Sequence, residues 1–155
     1  MATGYWEFWS EWQALYSKIG HEVVAACRAF VRENSRWSFV AHRWDQPDWL
    51  LSGPLRDGVW GNIHILLLHE TRKLRFTYAL WRDVDEPSQK RGYRTFKRYW
   101  ATSDDDVGDR TLDWDSVSEA SVRELILKSW ESLRSLRERA KQRENTVRLR
   151  LPNHQ

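Results

Sequence analysis

Basic and aromatic side chains alternate over one short segment of this chain, between residues 91 and 100. The residues concerned are Arg91, Tyr93, Arg94, Phe96, Lys97, Arg98, Tyr99 and Trp100. Basic groups neutralise phosphates and aromatic rings stack on bases, and the binding of a single-stranded nucleic acid uses both. The segment therefore predicts contacts with an anionic macromolecule, by charge from Arg91, Arg94, Lys97 and Arg98 and by stacking from Tyr93, Tyr99 and Trp100.

A second basic cluster lies in the C-terminal third of the chain, within a helical pattern. Its members are Arg134, Arg137, Arg139, Lys141 and Arg143. Of these, Arg137 and Lys141 are candidates for further phosphate contacts. A solvated helix end, where cations complement the negative end of the helix dipole, would explain the same residues without a ligand. An acidic segment, residues 101–124, separates the two basic regions.

The chain contains eleven tryptophans, which fall into two groups by position. Trp9, Trp12, Trp37 and Trp130 lie on apolar stripes of helices or on the apolar side of a strand, so we expect them in the core. Trp6, Trp44, Trp49, Trp60, Trp81, Trp100 and Trp114 lie off those stripes. They either pack in the core or anchor loops, or they form a second aromatic surface, on which Trp60 and Trp81 are the candidates for ligand contact.

Patterns that carry catalytic or metal chemistry are weak in this sequence. His64 and His69 are an odd number of residues apart on one predicted strand, so they point to opposite faces and cannot hold one ion. The single cysteine, Cys27, lies on a buried stripe without an activating base nearby. The stretch Asp104–Asp115 within the acidic segment resembles a calcium loop in length, but it lacks the glycine at the sixth position and the final glutamate, so we expect a solvated loop there.

A nuclease pattern also fails on spacing. Asp48 precedes a predicted strand, and Glu70 and Lys73 follow it, but two residues separate Glu70 from Lys73. A nuclease of the PD-(D/E)xK type has one residue there, so that both side chains share a strand face. We therefore predict no catalytic residues, no metal, no cofactor and a protein that is not an enzyme.

The apolar periodicity predicts the elements that position these residues. It indicates a long amphipathic helix over residues 5–33, strands over 36–44, 60–70 and 73–83, and a second long helix over 117–143. Residues 45–58, with Pro47, Gly53 and Pro54, predict a loop. Residues 93–102 favour an edge strand over a short helix, and Ser116 with Glu119 predicts a capping box. Residues 146–151 look like a further strand.

This order predicts a single domain over residues 1–155, in which residues 146–155 are strand-like or a flexible tail. The fold class is α+β: a two-layer sandwich with an antiparallel sheet of three to five strands and with both long helices on one face. The C-terminal strand could pair with a second copy of the chain to form a homodimer.

The number of cysteines and the hydropathy of the chain indicate its cellular compartment. One cysteine excludes an internal disulfide and favours a reducing environment. The longest apolar run, Ile65–Leu68, is too short to span a bilayer, and the N-terminus lacks the basic lead of a signal peptide. We predict a cytoplasmic protein without a membrane partner.

Three stretches of the chain resemble a known prokaryotic domain. The motif WEFWSEW at Trp6–Trp12, the motif TLDWDS at Thr111–Ser116 and the closing apolar helix are similar to a small domain of unknown function that is often attached to PD-(D/E)xK nuclease-like domains. The resemblance implies that any catalytic domain lies outside this module and that no catalytic residue carries over. It also implies a helix, not a strand, at residues 93–102.

Three functions remain open at this level. The favoured one is a non-enzymatic module that binds an anionic macromolecule, most plausibly nucleic acid. The alternative is a small protein-interaction factor, such as an inhibitor, an immunity protein or an accessory subunit, with exposed tryptophans as hot spots. The third is a small-molecule pocket between the helices and the sheet.

Overall fold

A computed structural model shows a sheet covered on one face by two long helices. It describes the chain except at residues 1, 42–47, 57–58, 85–94, 99–107 and 151–155, and it describes side chains at residues 10–41, 48–55, 59–81, 110–142 and 145–146. The elements are α1 (Ala2–Glu33), β1 (Ser38–Ala41), β2 (Asp48–Arg56), β3 (Val59–Leu68), β4 (Lys73–Val84), β5 (Thr95–Arg98), β6 (Gly108–Asp113), a short 3-10 helix (Trp114–Ser116) and α2 (Glu119–Arg150).

The sheet is antiparallel throughout its described pairs, in the order β1-β2-β3-β4-β5. The sixth strand, β6, pairs with the first half of β4, while β5 pairs with its last four residues. The described sheet is thus five strands wide, and β5 and β6 share the position beyond β4. The predicted α+β fold, with helices at both ends of the chain, is confirmed.

Alternation along β3 separates the two faces of the sheet. Val59, Gly61, Ile63, Ile65 and Leu67 are buried, whereas every residue between them is partly exposed. The buried set joins one core cluster with Ile19, Val23 and Phe30 of α1 and with Ile126 and Leu133 of α2. Both helices therefore cover this face, and the predicted helical stripes are confirmed wherever their side chains are described.

The opposite surface is called the outer face below. Its described members on the three longest strands include Leu50, Ser52, Trp60, Asn62, His64, Leu66, Arg75, Thr77 and Trp81, all of them partly exposed. None of these residues belongs to the core cluster under the helices. The sheet therefore presents one face to the helices and a different set of side chains on the other.

A close contact between Trp37 and Gly53 joins the layers at one end of the sheet. The Trp37 ring meets Phe30 of α1 edge to face, with 5.4 Å between ring centroids, and Phe30 meets Trp130 of α2 at 6.3 Å. A Cβ atom at Gly53 would lie 2.6 Å from Trp37 Cδ1. Only glycine allows the indole to lie directly on the β2 backbone.

The prediction of a loop at residues 45–58 is wrong for the described part of that segment. β2 occupies Asp48–Arg56 between β1 and β3. The glycine and the proline that suggested a loop have local roles within the strand. Gly53 accommodates the Trp37 ring, and Pro54 lies at the register shift between Pro54 and Arg56, where a strand tolerates a residue without a backbone N–H.

The prediction of a strand at residues 146–151 is also wrong, because α2 continues to Arg150. Val147, Leu149 and Leu151 alternate with arginines, but no glycine or proline precedes Pro152 to end the helix. Residue 151 lies outside the described part. The route to a homodimer through a C-terminal strand loses its structural basis.

Two further segments refine the predictions. At residues 93–102 the described part, Thr95–Arg98, is a strand, as favoured over the helix that the family resemblance implies. In the acidic segment, Gly108–Asp113 forms β6, so the expectation of a solvated loop there is wrong. Apolar Leu112 packs against the core and explains the pairing. Asp104 to Val107 lie outside the described residues.

The N-terminus of α2 is capped by Ser118, two residues after the predicted cap Ser116. The Ser121 N–H donates to Ser118 Oγ at 3.1 Å, and the Ser118 N–H donates to Ser121 Oγ at 2.8 Å. The geometry is that of a capping box in which serine replaces the usual glutamate. Glu22 of α1 also accepts from the Glu119 N–H at 2.8 Å, which ties the two helices.

Gly53→Ala is expected to lower the free energy of unfolding by about 1–3 kcal/mol, since the added methyl must displace the Trp37 ring. Gly20→Ala is the matched control. Its Cβ would meet Trp49 at an ordinary 3.4 Å, and removing glycine from the middle of α1 should raise stability by up to about 1 kcal/mol. Urea denaturation of both variants measures the difference. Equal effects would contradict the proposed packing.

Ser118→Ala is expected to cost about 1 kcal/mol of stability, because it removes the acceptor of the Ser121 N–H. Ser116→Ala should be nearly neutral, since the Ser116 side chain makes none of the hydrogen bonds that cap the described helix. Thermal unfolding of the two variants compares them. A larger loss for Ser116→Ala would restore the cap position that the sequence predicts.

Candidate functional site

An aromatic pair lies on the outer face, on the two central strands, at the end of the sheet where β3 begins. Trp60 on β3 and Trp81 on β4 are direct register partners, and both are partly exposed. Asn62 orients one of them: with its amide oxygen placed toward the indole, it accepts from Trp81 Nε1 at 2.8 Å while its NH₂ group donates to the Gly61 carbonyl at 3.1 Å. The pair confirms that Trp60 and Trp81 lie off the helix-covered core.

A polar pair lies on the same face, at His64, four residues along β3 from Trp60. His64 Nε2 is 3.0 Å from Asp48 Oδ2, and the two side chains are 35% and 20% exposed. Register pairs place Thr77 across from His64 and Arg75 across from Leu66. The face thus offers hydrogen-bond donors and acceptors as well as aromatic surface.

Tyr16 of α1 lies close enough to Asp48 to be affected by its charge. Burial, and secondarily the charge of Asp48, raises the pKa of the Tyr16 hydroxyl.

Two of the predicted cations belong to the strand that borders this pair. In the β4–β5 register, Arg98 lies across from Trp81 and Lys97 across from Arg82. Only the backbone of β5 is described, and the register gives the positions of these two residues beside β4. Arg91, Arg94, Tyr93, Tyr99 and Trp100 lie outside the described residues, and their predicted roles stay predictions.

The second basic cluster is on the other layer of the fold. Arg137 is only 8% exposed, and its Nη1 donates to Glu138 Oε1 at 2.9 Å. It lines a cleft between the turn after α1, the end of β2 and α2, where the Arg134 guanidinium lies 5.0 Å from the centroid of Trp130. Lys141 is exposed on α2. Arg137 is thus largely buried, and its predicted contact with phosphate stays a prediction.

Two tryptophans that lie off the apolar stripes of the sequence, Trp49 and Trp114, pack with the core. Trp49, which the sequence places in a loop, is 1% exposed and stacks on Tyr16. Trp37 is buried as predicted, while Trp12, Trp114 and Trp130 are partly buried against the core. The side chains of Trp6, Trp9, Trp44 and Trp100 lie outside the described residues. Among the tryptophans whose side chains are described, five pack in or against the core, and Trp60 and Trp81 lie on the outer face.

Two clusters were not foreseen from the sequence. His69, in the turn between β3 and β4, lies between Trp12 and Trp114, with centroid distances of 5.0 and 5.8 Å. Arg110 of β6 contacts Tyr78 and α2. Both clusters depend on long-range pairing, so no local spacing could have revealed them. The His64–Asp48 pair was missed because residue 48 was assigned to a loop.

Comparisons with family models, with curated proteins and with solved structures find no match to this chain. Within the described residues, no three histidine, cysteine or acidic side chains are grouped to hold a metal ion. In that same part of the chain, neither helix has the length and apolar character that a membrane crossing needs. The outer face, with its aromatic and polar pairs, is the candidate site that the geometry supports.

Cys27 is fully buried, as predicted, and burial raises the pKa of its thiol to about 12. A thiol-specific reagent at pH 8 should therefore label the folded chain far more slowly than the chain in urea. The raised pKa also means that stability falls as pH rises above about 9, where the unfolded thiol ionises and the folded one does not. Rapid labelling of the native protein, absent in Cys27→Ala, would contradict this burial.

Proposed function

We propose that this chain is a non-enzymatic module that binds single-stranded nucleic acid on the outer face of its sheet. The observation that carries the proposal is the cross-strand pair Trp60–Trp81, with Arg98 as the register partner of Trp81. Aromatic rings that are not needed for the core, next to a cationic strand, provide base stacking and phosphate neutralisation together.

The neighbouring side chains add capacity for hydrogen bonding to bases. Asn62 holds the Trp81 indole in one orientation, so less rotamer freedom is lost when a base stacks on it. The His64–Asp48 pair lies two residues further along β3, within reach of an adjacent nucleotide. Rigid placement on central strands suits a platform, because strands position side chains more firmly than loops do.

Protein interaction remains the second candidate, and Val40 supports it in one respect. Val40 lies on the edge strand β1 and is 48% exposed, so this edge could accept a partner strand. The predicted C-terminal strand no longer supports this function, because α2 continues to Arg150. Two further parts of the proposal rest on the sequence alone: the cytoplasmic location and the resemblance to the small prokaryotic domain.

Fluorescence anisotropy of labelled DNA and RNA across a salt series tests the proposal. We expect binding at low salt that weakens as salt rises, with single strands preferred over duplexes. Trp60→Thr and Trp81→Thr, which keep a β-branched side chain in each strand, should each weaken binding roughly tenfold, since stacking contributes about 1–3 kcal/mol per base. Trp60→Phe and Trp81→Phe retain a ring and should keep most of the affinity.

Charge reversal provides the second arm of the same experiment. Lys97→Glu with Arg98→Glu should flatten the salt dependence as well as reduce affinity. Lys18→Glu with Arg28→Glu on the exposed side of α1 changes the net charge equally and is the matched control. Salt-independent binding, or equal losses for the two double variants, would exclude the outer face. A stoichiometric protein partner that is lost in Val40→Lys would favour the second candidate instead.

A further inference from the structure

A small basic pocket lies on the helix side of the sheet, apart from the outer face. It is formed where β4 and β6 meet the middle of α2. Its lining residues are the cations Arg110, Lys128 and Arg139, the hydroxyl residues Tyr78, Ser132 and Ser135, and one acid, Glu131. Three cations against one carboxylate give this pocket an excess of positive charge in a chain whose formal net charge is only +3.

Arg110 is held in place within this pocket before any ligand binds. Its Nη2 donates to Ser132 Oγ at 2.9 Å, and Ser132 Oγ donates in turn to the Lys128 carbonyl at 2.9 Å. The guanidinium also lies 5.9 Å from the centroid of the Tyr78 ring. A guanidinium has five N–H donors, and in the described part of the chain Arg110 makes one hydrogen bond, so donors remain for a ligand.

The other two cations are available at small cost. Lys128 pairs with Glu124 at 2.9 Å, but both side chains are more than half exposed, and an exposed i,i+4 pair stabilises a helix only weakly. Arg139 is exposed on the same side of α2. Glu131 is exposed as well, so it can turn toward solvent when an anion enters.

Size and donor chemistry select the ligand. The pocket has a volume of about 290 Å³, at the lower limit of the roughly 300–1,000 Å³ typical of sites for drug-sized molecules. It therefore suits a single small group. Planar guanidinium donors, an ammonium and hydroxyl groups are the partners that phosphate oxygens take.

We propose that the pocket of Arg110, Lys128 and Arg139 binds a phosphomonoester group. A dianion is favoured over the monoanion of a phosphodiester because three cations line the pocket. The inference is independent of strand binding on the outer face, which lies on the other side of the sheet. It predicts an anion site even if the sheet platform fails its own test.

Isothermal titration with inorganic phosphate, at constant ionic strength maintained with sodium chloride, tests the proposal without any nucleic acid. We expect saturable binding that weakens about tenfold in Arg139→Gln and in Lys128→Gln, as loss of one charge-assisted hydrogen bond predicts. Arg28→Gln on α1 removes the same charge at a distant exposed position and should leave phosphate binding unchanged. Dimethyl phosphate, a diester, should bind more weakly than phosphate.

Unchanged phosphate affinity in both Arg139→Gln and Lys128→Gln would overturn the proposal, as would the absence of saturable heat with the folded wild type. Equal binding of dimethyl phosphate would overturn the choice of a monoester. Arg110→Gln is a third variant, and its folding is checked by circular dichroism because Arg110 also contacts Ser132. The two exposed variants keep the test valid if Arg110→Gln unfolds.

The source of the phosphate is then assigned with two pairs of probes. A 5′-phosphorylated oligonucleotide is compared with its 5′-hydroxyl counterpart, and phosphatidylcholine vesicles are compared with and without phosphatidic acid. A preference for the phosphorylated member of a pair, abolished in Arg139→Gln, supports the site and identifies its source. A preference that survives in Arg139→Gln counts against it.

Discussion

The contact between Trp37 and Gly53 organises the end of the sheet at which the two helices and the first strands meet. The indole lies on the β2 backbone, meets Phe30 of α1 edge to face, and brings α2 into the same aromatic cluster through Trp130. Gly61 on β3 continues the arrangement, because a Cβ there would lie 3.2 Å from Leu133 and from the tip of Trp37. Two glycines in adjacent strands thus create the depression that a tryptophan fills, and the helices are placed by the ring that fills it.

A sheet covered on one side must present a different chemistry on its other side. The helix-covered positions of β3 are apolar or glycine, whereas its outer positions carry tryptophan, asparagine and histidine, followed by two leucines. A cross-strand aromatic pair contributes about 0.2–1 kcal/mol to the sheet, so Trp60 and Trp81 have a structural use without a ligand. That use does not explain an indole oriented by Asn62 beside a polar pair and a cationic strand. The proposed platform rests on this combination.

The helices and the two central strands could be predicted from periodicity, because their burial repeats every three to four or every two residues. The strand β2 could not be predicted in this way, because Gly53 and Pro54 carry the local signature of a loop. Only the distant Trp37 explains why glycine occupies position 53. The prediction for the end of α2 was wrong because a local strand pattern misled it. Val147 and Leu149 alternate as they would in a strand, but the helix continues through this segment. For the site, Trp60 and Trp81 could be selected as lying off the core stripes, whereas the partners His64–Asp48 and Arg110–Ser132 required tertiary pairing.

The two basic clusters of the sequence lie on different layers, which constrains any ligand that uses both. By its register with Trp81, Arg98 of β5 takes an outer-face position, while the cations of α2 and β6 that line the small basic pocket lie on the helix side. β5 and β6 occupy consecutive stretches of the same edge beside β4, with Arg98 in register with Trp81 and Arg110 in register with Phe76. A single nucleic-acid strand could therefore contact both clusters only by crossing this edge. In that case its bases would stack on one side of the sheet and a terminal phosphate would bind on the other.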